Sequence, residues 1–93
     1  MSGPLFPLGQ VVATPAALDA LQSAGDDVTA YLVKHLTLDP GDLCKEDVKE
    51  NWFSVEHGFR ILSAFTTSDG KAELYIITEA DRSSTCVLLR SEY

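Results

Sequence analysis

The spacing of apolar residues changes at Gly58, and this change constrains the fold more than any other feature of the sequence. Before Gly58, apolar residues recur at helical spacing. After it, the runs 59–67, 71–79 and 85–90 are rich in β-branched and aromatic residues, which favour strands. Asp69-Gly70 joins the first two runs, and this dipeptide is the strongest short signal for a hairpin. The C-terminal part is therefore predicted to be a three-stranded antiparallel meander.

Capping residues divide the earlier part of the chain into helices. Thr14-Pro15 offers a hydroxyl cap followed by proline at the first helical position, and Gly25 ends that helix. A second helix follows, and a third is capped by Asp42 and continues to His57. With a short strand over residues 8–13, the pattern predicts an α+β fold: one N-terminal strand, three helices, then the meander, with the helices on one face of the sheet.

The length of 93 residues fits a single domain covering residues 1–93. Residues 1–7 are predicted to form an irregular arm. The N-terminus has no secretory pattern, no apolar run approaches the roughly 20 residues of a membrane span, and Cys44 and Cys86 are two lone cysteines. These features favour a cytoplasmic protein with free thiols that does not enter a membrane.

Negative charge is the strongest signal about partners. The net charge is −7, which disfavours direct binding to nucleic acid or anionic lipid and favours a basic protein surface. Asp42, Glu46 and Glu50 follow at a spacing of four residues, so they line one side of a helix. With Asp47, they are the predicted partner-binding residues. The alternative is a solvated helix face whose charge is softened by neighbouring lysines.

A second candidate site is the turn between the last two strands. It concentrates polar groups that could contact a small molecule, namely Glu79, Asp81, Arg82 and Ser83. A small-molecule-binding domain that uses this turn is the alternative function. The same residues also suit turn formation, in which Asp81 bonds the local backbone and Arg82 pairs with a carboxylate.

Patterns for catalysis or metal binding are missing from the sequence. It contains no G-x-S-x-G elbow, no phosphate-binding glycine loop and no C-x-x-C pair. His35 and His57 are expected at the edge of the core or on the surface. The sequence thus predicts neither a cofactor nor a metal, and it gives no support for an enzyme.

The strands carry more apolar residues than one sheet face needs. In residues 59–65 and 74–77, both faces of the strand are apolar, whereas the helices cover only one face. The surplus has to meet the N-terminal arm, a partner or a second copy of the chain. A homodimer is therefore among the expectations.

Several runs resemble a family of small uncharacterised bacterial proteins associated with plasmids and integrated mobile elements. The runs are FPLGQVVATP (6–15), GDLC (41–44), ITEADRSST (77–85) and the terminal EY (92–93), and they span almost the whole chain. The resemblance implies an accessory protein of a mobile element and assigns no functional residues. Together with the charge, it predicts a small acidic interaction protein that binds a basic surface of a host or element protein, as a DNA mimic or anti-defence protein does.

Overall fold

A computed structural model describes residues 6–39, 41, 43 and 45–93 of the chain. Its elements are β1 (Gln10–Ala13), α1 (Pro15–Ala24), α2 (Val28–Leu36), α3 (Lys45–His57), β2 (Ile61–Thr66), β3 (Glu73–Thr78), β4 (Ser84–Leu89) and a final 3₁₀ turn (Arg90–Glu92). This order confirms the predicted α+β fold of one strand, three helices and a meander.

The four strands form one mixed sheet in the order β1-β4-β3-β2. Strands β2, β3 and β4 are antiparallel neighbours, as a meander requires. Strand β1 is parallel to β4, with Val12 opposite Cys86. A parallel pair needs a long crossover, and here the crossover comprises everything between β1 and β4 along the chain.

The first helix begins and ends at the residues that the sequence marks, and the second begins at a capping aspartate. The Thr14 hydroxyl accepts a hydrogen bond from the Ala17 backbone N–H at 3.2 Å, and Gly25 ends α1 with a φ of 72°. Asp27 caps α2 by accepting from the Thr29 N–H. The predicted cap of the third helix, Asp42, lies outside the described residues, as does Cys44.

One face of the sheet packs against α1 and α2. Buried residues of this inner face and of both helices form the main core. The helices contribute Ala17, Leu21 and Tyr31, and the strands contribute Phe65, Leu74, Ile76 and Val87. A smaller cluster of Phe6, Leu38 and Ile61 continues the core beneath the N-terminal arm. Because alternate strand residues point to opposite faces, the residues between these core positions form an outer face.

Helix α3 packs along β2, at one of the two edges of the sheet. The Asn51 side chain bonds the backbone of Leu62 in β2 twice, donating from Nδ2 to the carbonyl at 2.5 Å and accepting from the N–H at 3.1 Å. An edge strand otherwise presents these groups unpaired. Asn51 therefore replaces a neighbouring strand at this point and fixes the position of α3.

A polar chain crosses the core through His35, which is fully buried. The Thr85 hydroxyl donates to the Leu8 carbonyl at 2.8 Å, so the Thr78 hydroxyl must donate to Thr85 at 2.7 Å. His35 Nε2–H then donates to Thr78 at 2.8 Å, and Nδ1 accepts from Ser63 at 2.6 Å. This order of donors assigns the neutral Nε2–H tautomer. Burial lowers the pKa of His35 to about 4.

The described part of the arm lies on the helix side of the sheet. Phe6 contacts the His35 ring edge-on, with ring centroids 5.2 Å apart, and Leu8 packs with the smaller cluster. Phe6 and Leu8 therefore do not cover the outer sheet face, and Leu5 lies outside the described residues. The expectation that His35 sits at an edge or on the surface is wrong, because hydroxyls on β2 and β3 supply both ring nitrogens of the buried imidazole with partners.

Candidate functional site

The side of α3 that faces away from the sheet combines acidic and aromatic residues. Glu46, Glu50, Phe53 and His57 are spaced i, i+4, i+7 and i+11, which places them on one side of the helix, and all are exposed. We call this set the acidic–aromatic stripe. Two of the four predicted partner-binding residues, Glu46 and Glu50, therefore belong to one continuous surface.

Asp47 is also exposed, but it lies at the border between α3 and the sheet. It lines a shallow cleft of about 360 Å³ together with Leu62 and Tyr75 of the outer sheet face. Asp42, the fourth predicted partner-binding residue, is not among the described residues.

The lysines of α3 lie beside the stripe rather than within it. Lys45 and Lys49 share their side of the helix with Trp52, which is one residue, or about 100°, away from Phe53. Across the described ranges, the ion pairs join Arg60 to Glu79 and Arg90 to Glu73, so none engages Glu46 or Glu50.

Aromatic rings stack at the C-terminal end of the stripe. Phe53 lies against His57, with ring centroids 4.0 Å apart and planes 17° apart, and against Phe59 at 5.7 Å and 7°. Phe53, Phe59 and the neighbouring Trp52 are 53%, 53% and 52% exposed. Large rings that are half exposed in a cluster indicate a surface for a partner.

The end of α3 is built so that the chain turns back over Phe53. Gly58 has a φ of 74°, and the N–H groups of Gly58 and Phe59 both donate to the Ser54 carbonyl, at 2.9 and 3.0 Å. This is the hydrogen bonding of a glycine-terminated helix, in which an apolar contact across the turn is common. The contact here is the stacking of Phe59 on Phe53.

Arg82 holds this helix end in place from the opposite side. Its guanidinium donates to the carbonyls of Ser54, Phe59 and Glu79, at 2.9, 2.6 and 3.1 Å. A cation at the negative end of a helix dipole is favourable, and the Phe6 ring lies 5.7 Å away. The expectation that Arg82 pairs with a carboxylate is wrong, because its guanidinium donates to these three backbone carbonyls instead.

The other residues of the predicted ligand-binding turn interact with neighbouring protein groups. Asp81 Oδ1 accepts from the Ser83 N–H at 3.0 Å, and hydrogen bonds from Ser83 lower the pKa of Asp81. Glu79 faces Arg60, with 3.4 Å between the charged groups. Ligand binding by this turn stays a prediction.

Sequence reasoning missed the exposure of the α3 aromatics. The sequence analysis assigned no role to Trp52 and Phe53, and the structure shows that the buried positions of α3 are Asn51 and Ser54. Val48 and Val55, three residues before and four after Asn51, are partly buried and were the available signal for which side faces the sheet.

No group of three or more His, Cys, Asp or Glu among the described residues could hold a metal ion. Two shallow clefts, of about 590 and about 360 Å³, lie near Glu73 and Arg90 at the end of the sheet away from the 79–83 turn. Within the ranges that the structure describes, no helix has the length and apolar character needed to cross a lipid bilayer.

Comparisons of the chain with protein-family models, curated proteins and solved structures find no match.

Proposed function

We propose that this chain is a small, acidic, non-enzymatic interaction protein that uses α3 to bind a basic protein surface. The observation that carries the proposal is the acidic–aromatic stripe, in which Glu46 and Glu50 share one exposed side of a helix with stacked aromatic rings. Charge and apolar area on a single rigid element are what a docking helix requires.

The two halves of the stripe have different physical roles. Binding energy at protein interfaces is concentrated in a few aromatic and arginine side chains that become fully desolvated. Phe53, stacked between His57 and Phe59, is preorganised for such a contact because little ring freedom remains to be lost. Exposed carboxylates mainly accelerate the encounter and exclude acidic partners.

The partner that fits this surface is a basic protein with an apolar pocket beside its positive charge. A helix rises 1.5 Å per residue, so Glu46 and Glu50 present charges about 6 Å apart along the axis. A groove that binds a phosphate backbone is one such surface, and DNA mimicry is the narrowest form of the proposal. The resemblance to mobile-element proteins suggests a host or element protein as the owner of that surface.

The test is affinity capture from nuclease-treated bacterial lysate with the tagged chain and two variants. E46K/E50K reverses the acidic half of the stripe, and F53A removes the central ring. D19K/E56K is the matched control, because it makes the same change in net charge at exposed positions outside the stripe. Bound proteins are quantified by mass spectrometry at about 50 and about 500 mM salt, since exposed charges are screened at high salt.

We expect a basic protein that is retained by the wild type and by D19K/E56K and is lost with E46K/E50K and with F53A. Retention should also fall at high salt. If D19K/E56K lost the captured protein to the same extent as E46K/E50K, overall charge rather than the stripe would explain the loss. Equal capture by the wild type and all variants would contradict the proposal.

A further inference from the structure

The outer sheet face carries an apolar centre that α1 and α2 do not cover. Reading across the strands in register, one row contains Leu62, Ile77, Cys86 and Val12, and the next contains Ala64, Tyr75 and Leu88. Tyr93 packs edge-on against Tyr75, with ring centroids 5.4 Å apart, and is itself 66% exposed. In a single copy Ile77 is already buried, Val12 is exposed and the other residues of the two rows are half-buried, so a second copy would cover the apolar area that remains.

An ion pair lies at each end of these apolar rows. At one end, Arg60 lies two residues before Leu62, and Glu79 lies two residues after Ile77. Their charged groups are 3.4 Å apart. At the other end, Glu73 lies two residues before Tyr75, and Arg90 bonds it at 2.9 Å. All four side chains are 44–62% exposed, so each can exchange its partner without unfolding.

The two ion pairs have complementary order across the sheet. At the first end, the arginine is on the β2 side and the glutamate extends β3. At the second end, the glutamate begins β3 and the arginine follows β4. Suppose that a second copy is turned end for end and laid on the first, displaced by one strand. Each charge of one ion pair then lies opposite an unlike charge of the other ion pair in the second copy.

We propose that this face is the site at which two copies of the chain associate about a two-fold axis that runs across the strands. In that dimer, Arg60 faces Glu73 of the partner subunit, and Glu79 faces Arg90 of the partner subunit. The same rotation lays each apolar row on the other apolar row of the second copy. The interface is isologous, as a closed dimer requires.

Sheet geometry fits the required shift. The charged ends are six residues apart along β3, about 20 Å, and a shift of one strand is about 4.8 Å. To produce this shift at both ends, the two-fold axis must tilt by about 14° from the perpendicular to the strands. The strands of the two sheets then cross at twice that angle, about 28°. Face-to-face sheets with aligned strands pack at about 30°. The arrangement demanded by the charges is thus one that sheets adopt.

The interface that this dimer would bury is small. Four strands and about 20 Å of length give roughly 400 Å² per copy, or about 800 Å² in total, which is below the standard interface of about 1,600 Å². We therefore expect a weak, reversible dimer. The dimer uses none of the acidic–aromatic stripe, so it is independent of the proposed function.

The experiment is sedimentation velocity of the whole chain from about 5 to about 500 µM at low salt, where association follows mass action. Two double variants test the charges. R60E/E79R and E73R/R90E each exchange the members of one ion pair, so each retains its own internal pair and the net charge of the wild type. Each alone would oppose like charges across the dimer, whereas a 1:1 mixture restores every unlike pairing.

We expect the wild type to shift from 10.1 kDa towards twice that mass over this range. Each double variant should dimerise at least about tenfold more weakly, and the mixture should recover wild-type association. Circular dichroism should show unchanged folding, because the exchanged charges are exposed. A wild type that stays at 10.1 kDa throughout, double variants that dimerise normally, or a mixture that remains monomeric would each overturn the proposal.

Discussion

Acid should destabilise the fold through His35 before it affects the carboxylates. The folded-state pKa of His35 is about 4, against 6.5 for the free side chain. Between these values the unfolded chain binds a proton that the folded chain excludes. Stability therefore rises with pH in this window and falls as pH decreases through it.

The size of the effect follows from linkage. One pKa unit corresponds to 1.36 kcal/mol, so the full difference between 6.5 and about 4 corresponds to about 3 kcal/mol. Between about pH 7.5 and about pH 5, the expected loss is about 2 kcal/mol. For a domain of this size, that is a substantial fraction of a typical free energy of unfolding.

The carboxylates with shifted pKa values act in a different range. Hydrogen bonds from Ser68 lower the pKa of Asp26, and one from Thr67 lowers that of Asp69, each from an ordinary value of 3.8. Their contribution is present above pH 3.8 and is lost as pH falls through their lowered values. A measurement above about pH 5 therefore excludes the contribution of these two carboxylates.

The assay is urea denaturation followed by circular dichroism at several values between about pH 7.5 and about pH 5. H35Q removes the titrating group from the core, and H57Q removes the exposed histidine as a control. We expect the pH dependence to persist in H57Q and to disappear in H35Q, which will be less stable at every pH because it loses ring contacts. A flat wild-type profile, or an equal slope in H35Q, would refute the assignment of a buried neutral imidazole.

Two further substitutions test how the edge strand and the arm are held. N51A leaves the N–H and carbonyl of Leu62 without their partner and should cost about 1–3 kcal/mol in urea denaturation, whereas K49A on the exposed side of the same helix should cost little. G9A should destabilise by more than G25A: both glycines have positive φ, but a Cβ at Gly9 would collide with the Ser83 carbonyl, whereas that at Gly25 meets open space. If N51A and K49A, or G9A and G25A, lowered the free energy of unfolding by equal amounts, that result would contradict the contacts described.

The local features of the fold were predictable because their causes are local. Thr14, Gly25 and Asp69-Gly70 act on backbone groups within a few residues, and each marks the boundary or turn that the structure has. The change of period at Gly58 separates the helices from the meander for the same reason. None of these depends on which segments meet in space.

The rest depends on long-range contacts that no local pattern encodes. The pairing of β1 with β4 joins residues more than 70 positions apart, and the buried His35 finds its partners on strands 28 and 43 residues away. In α3, the bonds of Asn51 to the β2 backbone decide which side faces the sheet, which leaves Phe53 exposed. The acidic half of the candidate surface was therefore foreseen, whereas its aromatic half was not.

The most direct test of α3 as the binding surface is amide hydrogen exchange of the chain with and without the captured partner. We expect new protection within residues 45–59, which contain the acidic–aromatic stripe and Phe59. Protection confined to residues 79–85 would instead support the turn as the binding site. An unchanged exchange pattern in α3 at saturating partner would contradict the proposal that this helix binds it.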